Sequence, residues 1–478
     1  MEEFKMSEKK TPPKPLPVKD RFKRVPIKMR SPEERIHDFD LYIHGYTDEE
    51  ARAEAARCLA CNVCVKGCPA RLDIGAYVRA IADGEPKNAL QIILKDLPLP
   101  TICGYVCTHN CEDLCVLGRR GDPIAIRHLK RYAAEAVEDY SEVVEATPEP
   151  DTGKKVAIIG AGPAGLTLAY RLALKGVKPV IFDALPYPGG TMYVGIPPYR
   201  LPRKVIEKEV EFIKSFGVEF RFNTRVGEDI PFEKLMEEYD AVFIGVGNHR
   251  PRRVECKGSD CSGVYHALEF LRGVALGEIK EVGRRVAVIG GGFTAMDAAR
   301  VSLRLGAEKV MVLYRRRAQD RPGYPSSNAE EELREAEEEG IEFIWTVTPF
   351  EYTSKDGHIS GIKYWKNRMI EVPGKRAKPE PIKDQEYFVE VDTVIEATGQ
   401  KIDFDFIPEE IREKLEMSWS EIKVNEFGET SIPGVFAGGD ATNEKKDIIS
   451  AVADGNRAAV GILRYLFPER AEEFHIKE

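Results

Sequence analysis

The hydrophobic pattern of the chain changes character near residue 150. Residues from about 47 to 140 follow helical periodicity, whereas the remainder alternates short apolar strands with helical stretches. Two of these strands, at 154–160 and near 285–290, are β-branched and lead directly into glycines and a helical pattern. This order is typical of doubly wound dinucleotide-binding domains. The pattern therefore predicts an α/β fold with two such domains, preceded by an α-helical N-terminal domain.

Shorter patterns divide the chain further. Residues 1 to about 30 are rich in proline and lysine, which predicts an extended arm. A helix is predicted to begin at Thr47, because Glu50 follows it at the spacing of a capping box. Residues 141–153 are acidic and contain prolines, as expected of a linker. Residues 327–340 combine helical periodicity with many glutamates, which predicts a solvated surface helix.

The first glycine turn carries the fingerprint of a dinucleotide site, with the residues Gly160, Gly162, Pro163, Ala164 and Gly165. The first glycine permits a tight turn, the second lets a pyrophosphate approach the backbone, and the third lets helix and strand pack closely. The next strand ends at Asp183, whose carboxylate suits a ribose hydroxyl and repels a 2′-phosphate. These features favour the adenosine ribose of FAD.

The second glycine turn predicts a different dinucleotide. Its residues are Gly290, Gly291, Gly292, Phe293, Thr294 and Ala295, and the final alanine is small enough to permit close packing. The following strand ends in Arg315 and Arg316, whose guanidinium groups can bind a 2′-phosphate through paired hydrogen bonds. Arg321 lies close enough in sequence to join that site. The arginines favour NADP(H) over NAD(H), and the alternative is a solvated basic run.

Other stretches resemble parts of two-dinucleotide flavoproteins. Residues 431–442, with Gly439 and Asp440, resemble the second FAD motif, in which the aspartate contacts the ribityl chain. Residues 189–203 resemble the loop beside the flavin ring, and its candidate binding residues are Gly190, Gly195, Ile196 and Arg200.

Two more stretches resemble the crossings between the domains of such proteins. One is 245–248, with Gly247, and the other is 394–400, with Thr398 and Gly399. The order of all these motifs implies an NADP(H) domain inserted in the FAD domain. The predicted domains are 1–150 for the helical region, 151–278 for the first FAD part, 279–392 for NADP(H), and 393–478 for the second FAD part.

Eight of the ten cysteines form two runs: Cys58, Cys61, Cys64 and Cys68, then Cys103, Cys107, Cys111 and Cys115. The first run ends in Cys-Pro and has the spacing of ferredoxin-type ligands, in which the fourth cysteine serves another cluster. Eight thiolates can complete two [4Fe–4S] sites. Zinc is the competing interpretation, but the Cys-Pro ending and a neighbouring flavin that needs a one-electron outlet favour clusters. Cys256 and Cys261 are interpreted as ordinary cysteines.

From about residue 35 onward the chain resembles the NADPH-oxidising small-subunit family of glutamate synthase. This family includes the large subunit of NADH-dependent ferredoxin:NADP oxidoreductase and a single-chain archaeal form called homotetrameric glutamate synthase. The resemblance is carried by both glycine turns and by five segments, namely 45–69, 106–118, 195–202, 313–317 and 436–442.

The resemblance implies a ligand set for each cluster. One set is Cys58, Cys61, Cys64 and Cys115, and the other contains Cys68, Cys107 and Cys111. In several relatives a Gln or Glu of the following helix supplies the fourth ligand of the second set. Lys130 occupies that position here, and an ammonium cannot ligate iron. Cys103 is therefore the expected substitute.

The resemblance also implies the function. Electrons would pass between NADP(H), FAD and two [4Fe–4S] clusters in an oxidoreductase that needs no protein general base. We expect the large subunit of a ferredoxin:NADP oxidoreductase, with a second flavin or iron–sulfur subunit. The alternatives are a glutamate synthase small subunit with its large partner and, in another class, a non-catalytic zinc- and nucleotide-binding subunit. A homo-oligomer is compatible with each.

Charge and hydropathy exclude other classes. The net charge of −9 argues against nucleic acid as a partner, because phosphate binding needs a basic face. No apolar run reaches the roughly 20 residues that span a bilayer, and the N-terminus lacks the apolar core of a signal peptide. We therefore expect a cytoplasmic protein without a membrane partner.

Overall fold

The computed structural model of the chain describes residues 20–144, 147–418 and 420–477. Most of the predicted arm and residues 145 and 146 of the predicted linker lie outside the described residues. The N-terminal region is helical, as predicted, and the capping box of Thr47 and Glu50 is confirmed. Its helices are Pro32–Arg35, Asp48–Ala56, Ile74–Ala82, Pro86–Leu94, Pro100–Val106, Asn110–Asp113 and Ile126–Glu135.

The first sheet is parallel and has five strands. Their order across the sheet is Val435–Ala437, Ala241–Ile244, Lys155–Ile159, Lys178–Phe182 and Glu219–Arg221. The helices of this unit are Pro163–Leu174, Thr191–Val194, Arg203–Lys214, Phe232–Glu238, Glu409–Arg412 and Ile448–Leu466. The strand contributed by the C-terminal part of the chain closes one edge, so the unit is built from two separate stretches of sequence.

The second sheet is also parallel and lies between the two stretches of the first. Its strands are ordered Val264–His266, Thr393–Glu396, Arg285–Ile289, Lys309–Tyr314 and Glu342–Trp345. Its helices are Ala267–Ala275, Phe293–Arg304 and Ser327–Glu338. The predicted fold class is thereby confirmed, with one doubly wound unit inserted in another.

The sheet pairing differs from two predicted domain boundaries. Val264–His266 and Thr393–Glu396 pair with each other in the second sheet. The boundaries at 278/279 and 392/393 instead assign both strands to the FAD-binding domain. The crossing segments themselves run side by side, since Arg250–Pro251 pairs with Gln400–Lys401. This small ladder follows the 245–248 motif and contains the last residue of the 394–400 motif.

A three-stranded antiparallel sheet was not expected from the sequence. Its strands are Val347–Lys355, His358–Val372 and Lys375–Glu390, and its apolar side chains pack against the second sheet. Asp356 and Gly357 connect the first two strands with positive φ angles of 52° and 79°. Asp-Gly between strands is a strong hairpin signal, and it marks this feature in the sequence.

No helix in the described ranges is long and apolar enough to cross a membrane.

The helix Ser327–Glu338, here named the carboxylate helix, is not the solvated helix that its composition predicted. Glu332 and Glu335 on the helix and Glu339 at its C-terminal end are each at most 5% exposed. Glu339 accepts hydrogen bonds from Arg300 at 2.7 and 3.0 Å and pairs with Arg35 at 2.7 Å. The helical periodicity was correct, but these partners come from distant parts of the chain and could not be read from it.

We expect the pairing of Glu339 to contribute stability at neutral pH. Burial opposes its charge, but the hydrogen bonds and charges of Arg300 and Arg304 outweigh burial and lower its pKa to about 2. The stabilisation is therefore complete above the unfolded pKa of about 4.3 and is lost as the pH falls towards 2. Glu339→Gln should cost about 3 kcal/mol at pH 7, because it leaves buried guanidinium groups unpaired.

The test is urea unfolding followed by far-UV circular dichroism at pH 7 and pH 3. The difference between wild type and Glu339→Gln should shrink at the lower pH. Glu337→Gln, on the exposed side of the same helix, should stay within about 0.5 kcal/mol of wild type. A difference that is equal at both pH values would contradict the assigned role of the ion pair.

Candidate functional site

A cavity of about 320 Å³ lies at the carboxyl ends of the first sheet. Open α/β sheets bind ligands at this edge. The cavity brings together most of the residues that the sequence singled out for FAD, and these are Gly160, Gly162, Pro163, Ala164, Asp183, Gly190, Gly195, Ile196, Arg200, Gly247, Gly439 and Asp440. We call it the flavin cavity.

A second cavity, of about 240 Å³, continues from the flavin cavity. The two share Gly160, Asp183, Gly190 and Gly247 in their walls. The continuation is lined by Phe182 and by backbone and side chains of residues 224–228. Together the cavities form an elongated trench that suits the two halves of a dinucleotide.

The glycines of the first turn fit a bound pyrophosphate. Gly160 has a φ of 106°, and a Cβ there would lie 2.4 Å from the carbonyl oxygen of Gly245. A Cβ on Gly165 would lie 2.1 Å from the carbonyl oxygen of Gly160, so this glycine permits helix and strand to pack closely. A Cβ on Gly162 would meet nothing within 4 Å, which leaves open space where phosphates approach the helix beginning at Pro163.

Polar groups in the trench have unmet hydrogen-bonding capacity. The Asp183 carboxylate accepts hydrogen bonds from the N–H groups of Ala161 and Leu185 at 2.7 and 2.8 Å, and burial raises its pKa. Burial raises the pKa of Asp440 to about 6, and none of the described residues donates a hydrogen bond to it. The buried Oδ1 of Asn248 also has no partner among the described residues. Ribose and ribityl hydroxyls would satisfy such groups, so the residues fit FAD.

The second glycine turn faces the same cavity. Phe293 and Thr294 line the flavin cavity, and a Cβ on Gly291 would lie 2.7 Å from the Tyr314 ring. Gly290 and Ala295 are buried against the second sheet, and Gly292 precedes the helix Phe293–Arg304. The two dinucleotide fingerprints therefore approach one another across one cavity, as hydride transfer requires.

The arginines after the second fingerprint are placed differently from one another. Arg315 lies next to Arg316 at the end of the strand, and partial burial together with the charge of Arg316 lowers its pKa. Arg316 donates through Nε to the carbonyl oxygen of Ala377 at 2.9 Å. Arg321 is buried and donates to the carbonyl oxygens of Ala318 and Ala329 at 2.9 and 3.1 Å. Arg315 and Arg316 thus lie at the strand end, whereas Arg321 points into the protein.

Thr398 and Gly399 lie at the return crossing rather than in the cavity wall. The Thr398 hydroxyl donates to the carbonyl oxygen of Arg252, and the Gly399 carbonyl accepts from the Arg252 N–H at 3.0 Å. Their neighbour Gln400 lines the flavin cavity. The two residues therefore hold the crossing segments together beside the site.

An ion-pair cluster that the sequence did not reveal joins the two fingerprints. Arg200, from the flavin-ring loop, donates to both carboxylate oxygens of Asp297 at 2.7 and 2.8 Å. Arg200 also pairs with Glu332 of the carboxylate helix. Asp297 lies one turn after Phe293 on the helix that the second glycine turn begins, and that position is the only sequence signal for it.

Four cysteines surround one small cavity near the surface. Cys58, Cys61, Cys64 and Cys115 line it together with apolar side chains that include Ile74 and Val78. Cys61 is exposed and Cys64 is buried. Burial and then the charges of Cys58, Cys115 and Cys61 raise the pKa of Cys64 to about 12. We call these four residues the outer cysteine set, and their convergence fits a [4Fe–4S] cluster.

The other four cysteines of the two runs are buried. Cys68, Cys103, Cys107 and Cys111 form what we call the inner cysteine set. Burial raises the pKa of Cys103, and the charges of Cys107 and Cys68 raise it further. Cys103 is thus buried within reach of the charges of Cys107 and Cys68, and its role as the fourth ligand stays a prediction.

Lys130 lies beside the inner cysteine set. A Cβ on Gly104 would lie 2.6 Å from Cα of Arg131, so the helix Pro100–Val106 directly contacts the helix Ile126–Glu135 where Cys103 and Lys130 lie. Burial opposes the charge of Lys130, but the four inner cysteines outweigh burial and raise its pKa. Lys130 therefore places a positive charge next to the four sulfurs.

The inner cysteine set also borders the flavin cavity. Val106 and Thr108, on either side of Cys107, line that cavity, and Thr108 donates to Asp447 at 3.1 Å. The inner set thus lies beside the flavin cavity, and the outer set reaches the surface at Cys61. The sequence indicated each part but not the proximity of the inner set to the cavity.

Comparisons with known protein families match two regions of the chain. Residues 154–455 match the family described as pyridine nucleotide-disulphide oxidoreductase. Residues 35–142 match the family described as dihydropyrimidine dehydrogenase domain II, 4Fe-4S cluster. The second match covers both cysteine sets.

Several relatives carry the names of enzyme subunits. The NADP(+)-dependent formate dehydrogenase subunit beta of Moorella thermoacetica is 40% identical over 84% of this chain and 60% of its own length. The NADPH-Fe(3+) oxidoreductase subunit beta of Geobacter sulfurreducens is 36% identical over 84% and 63%. The glutamate synthase [NADPH] small chain of Escherichia coli is 34% identical over 93% and 96%. The chain therefore spans less than two thirds of the first two proteins and nearly all of the third.

Solved structures resemble the two-sheet part of the fold. Mycobacterium tuberculosis FprA in complex with NADPH has a TM-score of 0.53 at 18% identity and covers 69% of this chain and 87% of its own. Lactococcus lactis thioredoxin reductase has a TM-score of 0.51 at 23% identity and covers 66% and 99%. These similarities concern the fold alone.

Replacing Cys103 tests the fourth ligand of the inner set. Cys103→Ala should lower the iron content towards half and alter one of two EPR signals in the reduced protein, because three thiolates hold a cubane less firmly. Cys261→Ala, outside both sets, should leave iron content and spectra unchanged. Two unaltered clusters in Cys103→Ala would exclude Cys103 as a ligand.

Proposed function

The chain belongs to the pyridine nucleotide-disulphide oxidoreductase family, alongside the NADPH small chain of glutamate synthase, and on that premise we propose that it is the electron-transferring large subunit of a ferredoxin:NADP oxidoreductase. The predicted family and enzyme class are confirmed, so the protein is an NADP(H)-dependent oxidoreductase with FAD- and [4Fe–4S]-binding regions. The electron acceptor and the partner belong to the proposal.

The continuity of three sites carries the proposal. The inner cysteine set borders the flavin cavity through Val106 and Thr108, and the outer set opens to the surface at Cys61. We infer that electrons leave the flavin cavity through the helical domain, by way of the inner set and then the outer set, to reach a partner. The direction of flow depends on the partner, since the same path serves either direction.

The bound groups supply the redox chemistry: FAD exchanges a hydride with NADP(H) and electrons singly with [4Fe–4S] clusters. The chain's own residues bind and orient these groups. Asp183 would hold the adenosine ribose and Asp440 the ribityl chain, while Gly195 and Ile196 form the wall near the ring. Arg200 holds this wall against Asp297, which fixes the two fingerprints relative to one another.

The proposed cluster ligands follow the two cysteine sets. The outer set would hold one cluster with four thiolates, and the inner set would hold the other with Cys103 as its fourth ligand. Lys130 supports this choice, because an ammonium beside the inner set neutralises negative charge but cannot bind iron. Thiolate ligands need a reducing compartment, which favours the cytoplasm.

A glutamate synthase small subunit is the second candidate. It is favoured by the similarity to the Escherichia coli small chain, which extends over 96% of that protein. Glutamate formation would need a large partner with a glutaminase and a synthase domain. A non-catalytic zinc protein is not favoured, because residues 35–142 match a 4Fe-4S family. Self-association stays compatible with either candidate.

The domain boundaries are proposed from the motif order and the strand pairing. The helical domain ends near 150. The NADP(H) domain runs from the ladder strand Arg250–Pro251 to the ladder strand Gln400–Lys401, and the FAD domain comprises the stretches on either side. This proposal replaces the sequence boundaries at 278/279 and 392/393.

Anaerobic titration tests the proposed electron path. The purified protein should show flavin absorption peaks on a broad iron–sulfur shoulder, and NADPH should bleach both, because electrons pass from one site to the next. A colourless protein would end the proposal. Ferredoxin reduction would then support the first candidate, whereas glutamate formation only with a co-purified large subunit would support the second.

Replacing the two arginines tests the preference for NADP(H). Arg315→Ala/Arg316→Ala should raise KM for NADPH at least about tenfold, since each charged hydrogen bond contributes about 1.5 to 3 kcal/mol. The values for NADH should hardly change. Arg317→Ala is the control, because Arg317 already pairs with Asp320 and Glu371. An unchanged KM in the double variant would place the 2′-phosphate elsewhere.

A further inference from the structure

A large groove lies between the iron–sulfur domain and the C-terminal helix Ile448–Leu466, and it shares no lining residue with the flavin cavity. It encloses about 920 Å³ and is lined by the turn after Cys64, by residues 110–114, by the C-terminal helix Ile448–Leu466 and by residues 473–477. The function proposed above gives this groove no role. Its wall nevertheless contains Cys68 of the inner cysteine set.

The groove is basic although the chain is acidic. Eight Lys or Arg side chains line it against three Asp or Glu, whereas the whole chain has a net charge of −9. Some of the cations are paired, for example Lys477 with Asp96 and Lys175 with Glu149. The groove is therefore a locally positive surface on a chain whose net charge is negative.

Five of the lining cations form no ion pair with any described residue, and these are Lys66, Arg71, Lys95, Arg171 and Lys445. Arg171 is nevertheless engaged, since it donates hydrogen bonds to Asn456 and to the carbonyl oxygen of Lys95. Lys66, Lys95 and Lys445 are exposed. They come from three separate segments around the groove rather than from one turn, so they suit an extended acidic surface better than one small anion. Leu114, which is 44% exposed, adds an apolar contact at the same wall.

We propose that this groove docks an acidic one-electron carrier protein of the ferredoxin class. The proposal rests on the proposed function and specifies its partner. A carrier seated here lies beside Cys68 of the inner set and next to the segment that leads into Cys115 of the outer set. It would thus receive electrons close to both cysteine sets.

Two one-electron carriers are reduced for each NADPH that is oxidised. Each NADPH gives up two electrons and leaves as NADP⁺ with release of one proton. Two oxidised carrier molecules dock in turn, and each is reduced by one electron. No other oxidant or reductant is required.

We expect the groove to act mainly on the rate at which the carrier associates with the protein. Opposite charges on two proteins steer their association and raise the association rate by about 10- to 1000-fold at low ionic strength. Salt screens such steering, since the Debye length falls from about 30 Å at 0.01 M to about 10 Å at 0.1 M. Reduction of an acidic carrier should therefore slow as salt is added, whereas reduction of a neutral acceptor should not.

The experiment uses the holoenzyme, NADPH and an acidic single-cluster ferredoxin as the probe. Lys95→Glu/Lys445→Glu reverses two exposed cations that ligate nothing and line no part of the flavin cavity. At low ionic strength, kcat/KM for the ferredoxin should fall about tenfold or more, and its dependence on salt should weaken. Reduction of menadione, a neutral quinone, should stay unchanged.

The matched control is Lys280→Glu/Lys355→Glu, which makes the same charge change at two exposed positions outside the groove. This variant should reduce the ferredoxin at the wild-type rate. A fall equal to that of the groove variant would overturn the proposal, because net charge alone would then explain both. Unchanged ferredoxin kinetics in the groove variant would overturn it as well.

Two further outcomes separate the sources of failure. A wild-type holoenzyme that cannot reduce menadione with NADPH would refute the proposed function itself. Calorimetric binding of ATP or pyrophosphate that the groove variant loses, with unchanged ferredoxin kinetics, would overturn the docking proposal and assign the groove to a small anion.

Discussion

Buried pairing between the glutamates of the carboxylate helix and arginines from other parts of the chain holds the functional units in place. Glu331 pairs with Arg127 of the iron–sulfur domain at 2.9 Å, and Glu332 pairs with Arg200 of the flavin-ring loop. Breaking one partner of a buried pair is costly, because it leaves an uncompensated charge. The NADP(H) unit is thereby tied to both neighbours by the same helix, and its fingerprint faces the flavin cavity for that reason.

The helical domain depends on the same anchoring. The inner cysteine set lies against the flavin cavity only if the helix Pro100–Val106 keeps its place, and this helix is itself held by a buried carboxylate. Glu209 of the FAD unit accepts a hydrogen bond from the N–H of Ile102 at 3.2 Å, and its pKa is raised to about 7 by burial. Sulfur ligands, flavin wall and nicotinamide fingerprint are thus fixed by polar contacts across domain borders as well as by apolar cores.

Whether the sequence could predict a feature depends on how far apart along the chain the residues that form it lie. The glycine turns, the cysteine runs and the capping box of Thr47 are local, because their chemistry is set by residues a few positions apart. The partners of Glu339, the hairpin sheet and the assignment of Thr393–Glu396 to the second sheet depend on contacts between distant segments. A glutamate-rich helix is predicted to be solvated unless the distant arginines that pair with its carboxylates are known. Arg321 fits a phosphate by sequence spacing, whereas the fold engages its guanidinium with carbonyl oxygens.

The unequal exposure of the two cysteine sets has a consequence for the durability of the protein in air. Cys61 is exposed, while all four inner cysteines are buried beneath helices. With the proposed clusters in place, oxygen and chelators should reach the outer set first, so loss of iron should begin there. A preparation that ages in this way should still take electrons from NADPH as far as the inner set, but it no longer has the outer set beside the proposed docking groove. Electron transfer to the acceptor should therefore be lost first, and reduction of the protein by NADPH should be lost only later.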